Sequence, residues 1–462
     1  MFRSSKIPNY LNNILNELRI RLHPQLQEFS EFLTKFPNLR AFLFKIYSYV
    51  FFSKYLDVSP SYFAPAAIPH GAAHSVNFIS ENLILIDCQS FQSSSFNRGI
   101  GRYSRKLIAA MAAEFPNVNF LLVFNLAVSQ EIVDKVFNEI VVNFKNTRIH
   151  IAPVFPTINK EPFDSTSREL TQDLAIFDPR LILILSVFES SMHVIPINLN
   201  QFRTSATILY DVIPLQFPEI FLKTKNAKYV YEKQLDYLLT SSVVFSISKK
   251  SIENLIQIGA KLSTYRVIHG AGFHVGDFGV GEPLNVRKGI VAVGSDSPHK
   301  NLRRLIRAYL LLRKEIRKSH PLNILGVSKG QRSTLTRNLE FSQDEIIFHD
   351  YVSEDELTKF YANTRISIVP SLEEGFGMPI LESWEQGTVV LGSKGNAIEE
   401  LLGVAGIVFD PYSEDSMSEV INKYLVDDEV WLEEQNRILD RRNLFTWAKT
   451  VRSIADLISD DE

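Results

Sequence analysis

A single cysteine in 462 residues leaves this chain without an internal disulfide to brace it. Cys88 lies beside the apolar run Leu83–Asp87, which suits a buried, reduced thiol and a cytoplasmic setting. Charge of either sign is also not in excess. Lys and Arg number 49 against 52 Asp and Glu, a formal net charge of −3, so the basic face that nucleic acid demands is not expected. Long hydrophobic runs are missing too. The nearest approach to a span, Leu39–Leu56, is interrupted by Arg40, Lys45 and Lys54, and falls short of the ~18 uncharged residues that cross a bilayer. Arg3 and Lys6 precede a polar, helix-patterned stretch, so no signal peptide is expected. No group of His, Cys and Asp has metal-ligand spacing, and no metal or cofactor is expected. Repeats and low-complexity segments are absent.

What is present is an ordinary folding composition, 45% hydrophobic and 22% charged, in a chain long enough to need at least two cores. Leu11, Leu15, Leu18 and Leu22, then Phe42, Ile46 and Val50, fall at helical spacing. Residues 1–80 therefore read as a helical extension ending in a Pro-, Gly- and Ala-rich linker, Ser59–Ser75. The aromatic, basic part of residues 1–60 suits a membrane surface or a partner protein, and equally suits packing on the body of the protein. From Leu83 onward short apolar runs alternate with amphipathic helical patterns. They predict strands at Leu83–Ile86, Phe120–Phe124, Arg148–Ala152, Leu181–Leu185, Thr207–Tyr210, Val243–Ile247 and Tyr265–Ile268. After a glycine-dense stretch, Gly270–Gly289, strands resume at Ile290–Val293, Leu322–Leu325, Ile346–Phe348, Ile366–Val369, Val389–Leu391 and Ile407–Phe409. Such alternation predicts two α/β domains of parallel sheets, over residues 81–280 and 281–441, with a ligand at the carboxyl ends of the strands.

The strongest chemical signal is Val369–Ser393, VPSLEEGFGMPILESWEQGTVVLGS. A buried strand runs into a turn with Gly375 and Gly377, then a helix beginning at Pro379. Proline suits the first helical position, where its missing N–H costs nothing. The amides near Gly377 and Met378 then meet the positive end of a helix dipole, which suits a phosphate. Glu374 and Glu382, with seven residues between them around this turn, cannot bind phosphate themselves and fit hydroxyls, Glu382 those of a ribose and Glu374 those of a transferred sugar. A second signal, VAVGSDSPHKNLRRLIRAY over Val291–Tyr309, places Lys300 in a loop just before a helix, a natural diphosphate partner. A third, FNRGIGRYSRKL over Phe96–Leu107, puts Gly99 and Gly101 where backbone can approach a ligand. Arg102 there reads as a phosphate or acceptor contact, or as a helix-surface arginine.

The stretch EGFGMPILE resembles the E-x7-E motif of the retaining glycosyltransferases of family 4, group 1, which include bacterial mannosyltransferases and sucrose synthase-like enzymes. The resemblance covers roughly residues 80 to 460. It implies two Rossmann-like domains facing a cleft, the GT-B fold, with no metal, and a C-terminal helix at about 442–462, headed by Phe445–Thr450, that completes the first domain. It makes Lys300 the group that stabilises a leaving nucleoside diphosphate, with Ser295 where relatives often carry arginine, and it sets Gly99, Gly101, Ser295, Gly375, Phe376, Gly377 and Met378 against the donor. TILYDVIPL, Thr207–Leu215, resembles the HDLIPL or YDLIPL stretch of mannosyltransferases that build surface polysaccharides. Tyr210 stands where many relatives have a histidine. Asp211 beside it reads as a site group or as a cap on the next turn. Glu189, from a related strand end, joins Arg102 and Tyr210 as an acceptor-side candidate. His269, after a strand and before the glycine-dense stretch, reads as a core or hinge histidine, and His193 and His299 show no partner set.

The resemblance thus implies a cytoplasmic hexosyltransferase, peripheral to the inner membrane face if the extension lies there. It takes GDP-mannose in preference to a UDP-sugar, with Glu374, Lys300 and Asp211 at the chemistry and a glycan or lipid-linked acceptor. Front-face substitution fits, since no side chain is an evident nucleophile. Two other classes stay open: a sugar-nucleotide epimerase, which would need no acceptor, and a non-catalytic donor-binding subunit.

Overall fold

The computed structural model describes residues 82–458, apart from 126–129, 142, 145, 152–164, 190–193, 263, 273–281 and 404–405. The expected extension over 1–80, His193 and the middle of the Gly270–Gly289 stretch lie outside the described residues. Strands β1 to β7 are Leu83–Asp87, Asn119–Phe124, Thr147–Ile151, Leu181–Ile184, Ser205–Leu209, Val243–Ser246 and Tyr265–Val267. Strands β8 to β13 are Ile290–Val293, Leu322–Leu325, Ile346–His349, Ile366–Val369, Val389–Ser393 and Ile407–Phe409. Each matches an expected apolar run to within two residues at either end. The first set forms a sheet in the order β3-β2-β1-β4-β5-β6-β7, the second in the order β10-β9-β8-β11-β12-β13. The pairings of β1 with β2 and β4, and of β8 with β9 and β11, are parallel. β1 and β11 are buried along their whole length, as expected of strands covered on both faces.

The reason these runs become parallel strands lies in the helices between them. Leu302–Leu310 buries Leu302, Leu305, Ile306 and Tyr309, a single apolar stripe at helical spacing. Burying each such Leu or Ile contributes about 1.5–3 kcal/mol. Glu354–Asn363 begins at the expected capping box, in which Ser353 and Glu356 satisfy each other's backbone amides. Such helices force each following strand to run parallel to the last.

In both sheets the chain order reverses beside the first strand of the set, between β1 and β4 and between β8 and β11. These are the points at which an open α/β sheet leaves a crevice at its strand ends. The segments after β8 and β11 carry Lys300 and Glu374; those after β1 and β4 carry Gly99, Gly101 and Glu189.

The chain divides into two compact units. One holds the described residues up to Gly101 together with Phe115–Ala206 and the final residues from Leu457; the other holds Arg102–Glu114 and Thr207–Asp456. Every contact discussed below joins residues of a single unit. In the second, Trp447 of the helix Trp447–Arg452 packs edge-on against Tyr103, with ring centres 5.1 Å apart, and donates to Gly272 O at 3.0 Å. No helix among the described residues is long and apolar enough to cross a membrane.

Candidate active site

The loops that leave β8 and β11 are tied side by side. Leu372 N donates to His299 O at 2.7 Å, and Asn301 Nδ2 to Pro370 O at 3.0 Å and Pro411 O at 2.7 Å. Asn301 reaches this position in the left-handed conformation, φ 57°, which asparagine tolerates better than most residues. The ties set Lys300 opposite Glu374, and Lys300 Nζ donates to Glu374 Oε1 at 2.7 Å. Ser371 Oγ donates to the same oxygen at 2.7 Å. Burial alone would raise the Glu374 carboxyl, but Lys300 and Ser371 hold it below the usual carboxylate range. Both side chains are partly open, 26% exposed for Lys300 and 14% for Glu374, so an ammonium and an ionised carboxylate remain available to a ligand.

The glycine turn follows at once. Gly377 has φ 112°, in the region that favours glycine, and caps the helix Met378–Glu385, which starts one residue before the expected Pro379. The backbone amides of Gly375, Phe376, Gly377 and Met378 find no acceptor among the described residues. Gly375 is required for another reason. A Cβ there would lie 2.4 Å from Tyr210 O and 3.1 Å from Asp211 Cβ, so the turn packs directly on the end of β5. Ser251 Oγ bridges the two, donating to Tyr210 O at 3.0 Å with Gly375 O at 3.2 Å.

Asp211 therefore belongs to the same constellation as Lys300 and Glu374. Burial pushes its carboxyl up, the Ile213 amide opposes that, and the neighbouring Glu374 pushes it further. It also caps the next turn, the second of its two sequence readings, accepting from Ile213 N at 3.0 Å. Tyr210 is turned inward, its hydroxyl 2.6 Å from Ser104 Oγ. His299 had no partner legible in the sequence, and the structure supplies one. Its Nδ1 is 2.9 Å from Ser297 Oγ and its ring lies 5.5 Å from that of Phe221. Burial, with Lys300 adding to it, holds its pKa down to about 4, so it is neutral beside Lys300 at neutral pH.

Glu382 is placed differently from Glu374. It is 1% exposed; one oxygen is paired with Arg102 and the other accepts from Tyr361 Oη at 3.1 Å. Arg102 is thus not a free helix-surface arginine but the partner of the second acid, and it also lies 3.5 Å from Glu354. Ser295 sits in the loop after β8, its Oγ accepting from Ser297 N at 3.4 Å. In the first unit, Gly99 and Gly101 open the helix Gly99–Glu114, and a Cβ at Gly101 would collide with Phe96 O at 2.3 Å. Glu189 is buried and accepts from Ser95 Oγ at 3.2 Å. No group of three His, Cys, Asp or Glu among the described residues is disposed to hold a metal. His299, Asn301, Ser371 and Tyr361 had no periodic or spacing signal; only the packing of loops from separate strands reveals them.

Residues 283–441 match the family model described as Glycosyl transferases group 1. The chain is 25% identical over 396 residues to the serotype-specific mannosyltransferase WbdA of Escherichia coli, covering 79% of this chain and 46% of WbdA. It is 36% identical over 158 residues to the O-antigen chain mannosyltransferase B of Escherichia coli, covering 34% of this chain and 41% of that protein. The chain thus spans less than half the length of these curated relatives. Among solved structures, sucrose-phosphate synthase from Thermosynechococcus elongatus superposes with a TM-score of 0.58 at 16% identity, covering 82% of this chain and 98% of that one. HepE from Anabaena, solved with UDP-glucose, gives 0.58 at 16% identity over 81% and 98%. These likenesses establish the fold as the GT-B type with two Rossmann-like parts, as the resemblance implied. Residues 283–441 of this chain form a glycosyltransferase domain of group 1.

Proposed function

We propose that this protein is a retaining hexosyltransferase that moves mannose from GDP-mannose to a glycan or lipid-linked acceptor in cell-surface polysaccharide synthesis. The observation that carries the reading is the Lys300–Glu374 pair set beside four amides with no acceptor among the described residues. An ammonium and a row of amides suit a diphosphate that gains charge as it leaves, and preorganised groups of that kind stabilise the transition state without reorganising. Glu374 accepts from a hydroxyl of the transferred sugar, and Glu382 from the ribose, exchanging Arg102 for it. Asp211, whose carboxyl burial raises, is the third polar group at the chemistry. With Lys300 and the amides serving the diphosphate, the mechanism is proposed to be metal-independent. The departing phosphate oxygen takes the acceptor proton on the same face as the bond that breaks.

Mannose is favoured because WbdA and the O-antigen chain mannosyltransferase B are named for it, and because of the Tyr210–Leu215 stretch. The test is donor consumption with GDP-mannose and UDP-glucose, with and without a mannose-terminated acceptor, and assignment of the product's anomeric configuration by NMR. Acceptor-dependent α-mannoside formation is the expected result. Inverted product overturns the retaining mechanism; donor isomerised without acceptor points to an epimerase; no donor turnover points to a binding subunit.

A further inference from the structure

Behind the glycine turn lies a set of contacts that the chemistry above does not use. Glu400, on the helix Ala397–Leu402, accepts from the amides of Lys249 and Lys250 at 2.9 and 3.0 Å, at the start of the helix Lys249–Gln257. Its Oε1 also lies 2.8 Å from His269 Nε2. A carboxylate only accepts, so Nε2 carries the proton. Burial works to raise the Glu400 carboxyl, and these three hydrogen bonds overcome it and hold the group ionised. The His269 ring then stacks on Phe376, with centres 5.9 Å apart and planes 16° from parallel, while Phe445 meets its edge at 5.5 Å. Phe376 lies between the two glycines of the turn. The helix that Glu400 caps also carries Ser251, which reaches Gly375 O.

Glu400 therefore grips the turn from two directions, through His269 onto Phe376 and through the helix start onto Gly375. The turn needs such support. Its glycines impose no conformation of their own, and amides aimed at a diphosphate are useful only if held in place. We propose that His269 and Glu400 are positioning residues that fix the Gly375–Met378 amides for a nucleoside diphosphate. The inference rests on the donor reading above and adds residues that never touch the donor.

The test uses the full-length protein with GDP and UDP, and with the matching monophosphates, by titration calorimetry. His269→Ala is expected to weaken binding of the preferred diphosphate about tenfold, the loss typical of one charge-assisted contact. Monophosphate binding should change less than about twofold on the same scale. H269Q, which keeps the donor to Glu400, and H269F, which keeps the stack on Phe376, should each recover part of the loss. Glu400→Gln should follow His269→Ala. If His269→Ala leaves the diphosphate affinity intact, or weakens both nucleotides alike, the positioning role is overturned. Wild-type protein that binds neither diphosphate overturns the donor reading and this inference with it. Wild-type binding with unaltered His269 variants overturns this inference alone.

Discussion

Lys300 and Glu374 hold each other, so neither can be changed without releasing the other. Lys300→Ala should lower transfer about 100-fold or more, the usual effect of removing one preorganised charge partner, with Glu374→Gln similarly damaging; initial rates of donor consumption measure both. The pH dependence of stability follows from the direction of the shift. Glu374 is held below its ordinary value of 4.5, so its contribution is present above that value and is lost as the pH falls through the lower folded value. Glu382 is opposite in sense: burial raises it despite Arg102 and Tyr361. Arg102→Met strands that carboxylate and should destabilise the protein by about 3–5 kcal/mol at neutral pH. The deficit should shrink as the pH is lowered and the carboxyl takes a proton, which denaturant melts at several pH values would show. His299 adds a third term. Its pKa falls from 6.5 to about 4 on folding, so about 3 kcal/mol of stability should be lost between those two values as the solution is acidified. His299→Gln should flatten that decline. None of these pairings was legible in the sequence, because the partners of Lys300 and Glu382 lie 74 and 280 residues away.

At the scale of elements, the strands and their parallel order were legible because continuous apolar runs alternating with amphipathic helices admit little else. The glycine turn was legible in part. Gly377 is demanded by its own backbone, and the strand-turn-helix pattern announces it. Gly375 is demanded by the carbonyl of Tyr210, which belongs to another strand end. The two glycines should therefore fail differently. Gly377→Ala strains a positive φ and should cost about 1–2 kcal/mol in any context. Gly375→Ala must push the turn off Tyr210 and should cost about 1–3 kcal/mol while also weakening nucleotide binding. Equilibrium unfolding paired with calorimetric titration separates the two outcomes.

At the scale of the whole molecule, a donor that fits should stabilise the fold by mass action, about 2.7 kcal/mol at a hundredfold excess over its Kd. A thermal-shift series is therefore expected to move the melting temperature with GDP-mannose and less with UDP-sugars; equal shifts with both, or none, would refute the donor preference. What the sequence determined by itself was the α/β architecture and the glycine turn, since these rest on short-range patterns in the chain; it offered Lys300, Glu374 and Glu382 as candidates joined only by the family resemblance. What only the tertiary structure decided was who pairs with whom. Glu374 meets Lys300 while Glu382 is taken by Arg102, and Asp211, His299 and the His269–Glu400 pair gather around the same turn. The physical reason is that strand ends distant in sequence are brought together by the fold, for Lys300 and Glu374 where the second sheet reverses its order between β8 and β11, and local periodicity carries no record of such meetings.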